Sequence, residues 1–200
     1  MEVDWSATVE PYSHQERLRN GTEVTVRAAC PSDGPKIRRA FEGLDRDTVY
    51  SRFLGYKKDI SDKELRRVTD VDFERDIALL VTIGSSKDEV VIGGATYFGV
   101  DAEPGARSAE MAFTVEEDYQ GLGIGACLMR HLIGIAREKG VTRLEAYVLA
   151  RNRPMLTVLK RSGLPLAMRQ QGDVVHLALE LGKSKTPEDP DRDAGSYVTK

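Results

Sequence analysis

Three apolar runs of strand length follow one another with only turns or a loop between them, and this order restricts the fold more than any other feature of the chain. They are Ile77 to Ile83, Val90 to Phe98 and Ser108 to Val115. The turn-like segment Gly84 to Glu89 pairs the first two as a hairpin, and the loop Val100 to Arg107 leads into the third. Strands joined in this way make a largely antiparallel sheet. A regular strand–helix–strand alternation is thereby excluded.

Helical signals flank this unit. Upstream, Arg17 to Arg27 reads as a hairpin, with Asn20-Gly21 supplying the positive φ angles of a two-residue turn and Val24 and Val26 facing one side. Pro31-Ser-Asp-Gly-Pro35 stops the strand and opens a helix to about Gly43. A second helix is expected over Asp47 to Leu54. The capping box Ser61-Asp-Lys-Glu64 opens a third, to about Val68. Downstream, a helix from about Gly123 to Lys139 carries Leu128, Leu132 and Ile135 at helical spacing and ends at Gly140. A strand over Arg143 to Leu149, a helix over Pro154 to Arg161, and a hairpin of Pro165 to Arg169 with Val174 to Leu181 across Gly172-Asp173 complete the order. The expected fold is α/β of the α+β type, a mixed sheet flanked by helices, without internal repeats. Residues 1–16 are expected to be a lead-in, 17–182 the domain, and 183–200, polar and proline-containing, a disordered tail.

Composition narrows the function. A chain of 200 residues with net charge −3 is no general nucleic-acid binder. The basic pairs Arg38-Arg39, Lys57-Lys58 and Arg66-Arg67 read as solvated helix faces. Two distant cysteines and three scattered histidines form neither a disulfide framework nor a metal-ligand pattern. The first residues, MEVDWSATVEPYSH, have no basic start and no apolar run, so they are not a signal peptide. No apolar stretch approaches membrane-spanning length. The expected setting is a reduced, cytoplasmic, soluble protein.

The chemistry is expected at Gln120-Gly-Leu-Gly-Ile-Gly-Ala126, which follows a strand and opens a helix. Unpaired N–H groups and the helix dipole make such a start an anion site, and glycines let a phosphate approach the backbone. Three readings compete. A dinucleotide-binding turn formally fits Gly121-x-Gly123-x-x-Ala126, but Glu116 to Gln120 intervene after the strand and the preceding strands are antiparallel. A glycine-rich helix start without a ligand is the second. The third is a diphosphate loop of the acyltransferase type, Gln/Arg-x-x-Gly-x-Gly/Ala, which Gln120, Gly123 and Gly125 fit.

The surroundings favour the third. Gln120 to Gly125, the helix after it, the strand ending Val148-Leu-Ala150, Asn152-Arg-Pro-Met155 and Arg161-Ser-Gly-Leu164 resemble, in order and spacing, the GNAT N-acetyltransferase superfamily. Tyr50-Ser-Arg-Phe-Leu54, Thr69 to Arg75 and Ala109-Glu-Met-Ala-Phe113 further resemble the acetyltransferase domain of bacterial Pat-type protein lysine acetyltransferases.

The resemblance implies a sheet with a splayed central strand pair and acetyl-CoA as acyl donor. It implies pantetheine contacts from Phe113, Thr114 and Val115 and diphosphate contacts from the backbone of Gln120, Gly121, Leu122, Gly123, Ile124, Gly125 and Ala126. Asn152 would bond the pantetheine side; its other role is a helix N-cap. Glu110, in an otherwise apolar strand, matches the catalytic glutamate and would be the general base, with Glu145 as second candidate. Two departures stand out. Ala126 occupies a position where relatives often have a hydroxyl, and Leu159 one where many have a tyrosine acid. Tyr147 and Tyr119 are weak substitutes, and Cys127 reads as a small core residue. The acceptor is expected to be a protein lysine. A small amine is the alternative, and an acyl-CoA-sensing module without catalysis is another. Helices between Pro35 and Val68 and the turn Gln170 to Asp173 would frame the acceptor groove. Asp70, Asp72, Glu74 and Asp76 are candidates for attracting a cation. A second copy of the chain, in a homodimer, is a further candidate partner.

Overall fold

The computed structural model describes residues 12–85, 88–100 and 107–182. The expected tail, most of the lead-in and most of the loop before Ser108 therefore lie outside the described residues. The strands are β1 (Ser13–Arg17), β2 (Glu23–Ala28), β3 (Asp76–Ile83), β4 (Val90–Val100), β5 (Ser108–Val115), β6 (Arg143–Leu149), β7 (Leu166–Gln171) and β8 (Val174–Glu180). The helices are α1 (Gly34–Gly43), α2 (Arg46–Phe53), α3 (Asp62–Thr69), α4 (Ile124–Glu138) and α5 (Arg153–Lys160). Among the described residues the strands form one sheet in the order β1-β2-β3-β4-β5-β6-β8-β7. Its pairings are antiparallel except that of β5 with β6. No described helix is long and apolar enough to cross a membrane.

Strand alternation divides the core. Ile77, Leu79 and Val81 of β3, Met111 of β5 and Leu144, Ala146 and Val148 of β6 face α4, whose Ile124, Leu128, Leu132 and Ile135 are buried against them. Each of these side chains except Ala146 contributes about 1.5–3 kcal/mol by leaving water. On the opposite face Ala78, Leu80 and Val91 meet Ile37, Ala40 and Val68 of α1 and α3. The capping box of α3 forms as expected: Ser61 Oγ accepts from Glu64 N at 3.3 Å, and the Glu64 carboxylate accepts from Ser61 N at 3.0 Å.

The sheet begins earlier than the sequence reading has it. β1 starts at Ser13, ahead of Arg17, although SHQER has no apolar alternation. Side-chain bonds to α4 hold it instead. His131 Nδ1 lies 2.6 Å from Tyr12 Oη, its Nε2 lies 3.0 Å from Glu16 Oε1, and Arg130 donates to the same oxygen at 2.7 Å. A second irregularity is a bulge. Val81 pairs with Gly93 but Thr82 with Val91, which leaves Ile92 as the extra residue in β4.

A buried ion cluster ties β2 to the start of α1. Arg27 grips Asp33 with two bonds of 2.7 Å and Glu89 with two of 2.9 Å, and Lys36 also pairs with Glu89. Burial alone would push the Asp33 carboxyl up, but the Arg27 guanidinium and the Cys30 N–H outweigh it and hold it at about 2. Arg27 likewise lowers Glu89 to about 2, against burial. Both groups titrate lower in the fold than in the unfolded chain. Their stabilisation is therefore complete above about pH 5 and lost as pH falls from about 5 towards 2. For Asp33 the loss is about 2 kcal/mol. Urea unfolding from pH 5 to 2 should show a slope over that window that is shallower in Asp33→Asn; equal slopes would show that the cluster is not the acid-sensitive element.

Candidate functional site

The parallel pairing of β5 and β6 is short. It joins Ser108 to Arg143, Ala109 to Leu144 and Glu110 to Glu145, and then stops. β5 stays on β4 as far as Val115, while β6 stays on β8 as far as Leu149. The two central strands therefore fork beyond Glu110. A groove of about 1180 Å³ opens in the fork, lined by Met111 to Val115 on one side and Ala146 to Val148 on the other.

Hydrogen bonding at the end of β5 shows which groups face this opening. Glu116 N donates to Ile92 O at 3.0 Å. Antiparallel alternation then turns the main chain of Thr114 and Ala112 to β4. The N–H groups of Phe113 and Val115 are left towards the fork, whereas that of Met111 is taken up by β6 in the Glu110–Glu145 step. Of the expected contributors, Phe113 and Val115 thus offer main-chain groups, whereas Thr114 has only its side chain to offer.

The glycine loop sits at the mouth of the groove. Gly121 (φ 74°) and Gly123 (φ 99°) adopt left-handed backbone, and Gly123 is the N-cap of α4. A Cβ on Gly121 would meet nothing within 4 Å. The first backbone bond of α4 runs from Cys127 N to Gly123 O. Among the described residues no acceptor is placed on the N–H groups of Gly121 through Ala126. A row of free donors on the positive end of a helix fits a diphosphate. Gln120 differs from expectation. Its N–H is spent on Glu117 O (3.1 Å), and its side chain donates to Val115 O (3.1 Å) and Thr48 Oγ1 (3.3 Å), locking the loop to β5 and α2. Leu122 packs on the core and its carbonyl accepts from Arg19 N at 3.1 Å.

Asn152 caps α5, its Oδ1 accepting from Met155 N at 3.1 Å, and lines the groove as well. Glu110 is exposed at the last paired step before the fork, on the face of α2 and α3. Glu145, its register partner, is engaged by His176 Nε2 at 2.7 Å, and the His176 ring stacks on Tyr147 with centroids 4.8 Å apart. Leu159 is fully buried. Cys127 is buried too, and burial pushes its thiol up, as suits a core residue and not a nucleophile.

The acidic run has a structural role away from the groove. Asp72 Oδ1 accepts from the N–H groups of Glu74, Arg75 and Asp76, Asp76 accepts from Gly99 N at 3.0 Å, and Glu74 pairs with Lys139. None of the four acids lines the groove. Two sets of lining residues escape the sequence reading. Met129, Arg130, Ile133 and Arg137 form a stripe along α4 whose helical spacing was a usable signal, and Asp47, Thr48 and Arg52 of α2 carried none.

Comparison with known proteins follows the same lines. The model of the acetyltransferase (GNAT) family matches residues 47–164. Acetyltransferase PA5475 of Pseudomonas aeruginosa is 33% identical over 149 residues, covering 74% of this chain and 78% of its own. Acetyltransferase Pat of Mycolicibacterium smegmatis is 33% identical over 147 residues, which are 74% of this chain and 43% of that protein. Among solved structures, the GNAT domain of S. lividans PAT superposes with a TM-score of 0.76 at 28% identity, over 84% of this chain and 96% of that one.

Proposed function

Because the chain belongs to the GNAT family of acetyltransferases, we propose that it moves an acetyl group from acetyl-CoA to a protein lysine, with Glu110 as general base. The observation that carries this reading is the fork beyond Glu110, with free main-chain donors on one strand and the glycine loop at its mouth. The lysine acceptor rests on the likeness to Pat, of which this chain spans less than half. With it goes the cytoplasmic location expected from the sequence. Self-association stays a matter for light scattering.

The donor supplies an acetyl carbon already activated as a thioester. The chain's residues do the rest. Gly121 and Gly123 to Ala126 would bind the diphosphate, and Asn152 would bond the pantetheine side with its amide N–H group while its oxygen caps α5. Glu110 takes the proton from the incoming ammonium, directly or through a water. The amine nitrogen then bonds to the acetyl carbon, the tetrahedral intermediate gives up the surplus proton on nitrogen to water, the carbon–sulfur bond breaks, and the sulfur leaves as thiolate. Main-chain N–H groups of Phe113 or Val115 would stabilise the oxyanion. Buried Leu159 offers no proton, so the thiolate departs without an acid at that position.

Thiol release from acetyl-CoA, with lysine peptides and a small-amine panel as acceptors, tests the proposal. Turnover on the peptides is expected. Turnover confined to small amines would move the acceptor to that class. Acetyl-CoA binding without any turnover would favour the sensing module, to which Leu159 lends weight.

A further inference from the structure

The groove continues past the fork to α2, and among the described residues one cation there is left over. Arg52, in the last turn of α2, lines the groove and is partly buried. Among the described residues its guanidinium has no hydrogen bond and no ion pair, only the Phe53 ring 5.1 Å from Cζ. Arg67 of α3 stands over Phe98 at 4.2 Å, and Phe98 is the register partner of Glu110. Burial works against the charge on Arg52, the Glu110 carboxylate favours it and Arg67 opposes it. Arg52 thus feels the Glu110 carboxylate on one side and a second guanidinium on the other.

Acids on α2, α3 and β6 have cationic partners of their own. Asp47 faces Arg151 at 3.8 Å, Glu64 holds Lys57 at 2.5 Å, and Glu145 holds His176. Partly buried arginines elsewhere are paired: Arg27 with Asp33 and Glu89, Arg38 with Asp59 and Asp62. A guanidinium drawn out of water without an acceptor is costly, and its planar fork suits a carboxylate.

We propose that Arg52, seconded by Arg67, binds a carboxylate that accompanies the acceptor amine. Glu110 and Arg52 then read an ammonium and a carboxylate side by side. This chemistry belongs to a free amino acid or to a lysine beside an acidic residue. The inference rests on the Glu110 side of the fork being the acceptor side.

The test is kcat/KM for matched acceptors, measured by thiol release from acetyl-CoA. One arm compares amino acids with their decarboxylated amines. The other compares lysine peptides carrying Asp or Asn beside the lysine. The carboxylate-bearing member should be favoured by roughly 10- to 100-fold in one arm, the worth of a charge-assisted bond, and that arm identifies the source. In Arg52→Gln the ratio should fall to about one through KM, with acetyl-CoA still raising the melting temperature. Should that variant fail to fold, Arg52→Lys, which keeps charge but loses the fork, should give an intermediate ratio. Equal rates in both arms for the wild type, or a wild-type ratio in either variant, overturns the proposal. No turnover on any amine would instead overturn the acetyl-transfer reading on which it stands.

Discussion

Glu110→Gln should slow acetyl transfer by about 100-fold or more while acetyl-CoA binds as before. General-base catalysis is worth roughly 10²- to 10⁴-fold, and the amide keeps the shape of the side chain while losing its ability to take a proton. The position explains why this group and not its neighbour is assigned the role. Glu110 ends the part of β5 that pairs with β6, exposed, one residue before the groove begins at Met111. Glu145 lies beside it in register, but its carboxylate is bonded to His176 at 2.7 Å. Glu145→Gln should therefore cost less than Glu110→Gln. Single-turnover rates with a fixed acceptor separate the two. A Glu110→Gln rate within about threefold of wild type would end the assignment.

Gly123→Val should raise the KM for acetyl-CoA by about 100-fold or more and leave the fold largely intact. Gly123 has φ 99°, where an L side chain is strained even though its Cβ would meet only the Arg19 side chain at an ordinary contact distance of 3.5 Å. The loop must shift, and the N–H groups after it lose their common aim. Losing even two charge-assisted bonds to a diphosphate, at about 1.5–3 kcal/mol each, accounts for the factor. Far-UV circular dichroism should stay unchanged while initial rates at varied acetyl-CoA report the KM. An unchanged KM would show that the loop does not hold the donor.

Much of this arrangement was legible because its signals are local. Gly172-Asp173, the Ser61–Glu64 box and the apolar stripe of α4 each specify an element within a few residues, whereas Asn20-Gly21 marks the first hairpin without forming the expected two-residue turn: only Gly21 has positive φ, and the strand register ends at Arg17 with Glu23. What stayed hidden depends on distant partners. β1 carries no apolar alternation; Tyr12, Glu16 and His131 hold it to α4 across more than a hundred residues. The parallel step between β5 and β6 and the placing of β8 between β6 and β7 are facts of topology with no local signature. At the site, Glu110, Asn152 and the glycine loop were legible from residue type and resemblance. The capture of the Gln120 N–H by Glu117, the turning of Thr114 towards β4 and the isolation of Arg52 were not. Each is decided by which neighbour reaches a group first, and that requires the fold.

The central claim is that acetyl-CoA lies on the glycine loop and in the fork, and amide chemical-shift mapping during an acetyl-CoA titration tests it most directly. Saturable shifts should be largest at Gly121 and Gly123 to Ala126 and extend to Met111, Phe113 and Val115. Shifts that bypass the loop and the fork, or an equal response to a nicotinamide dinucleotide, would contradict it.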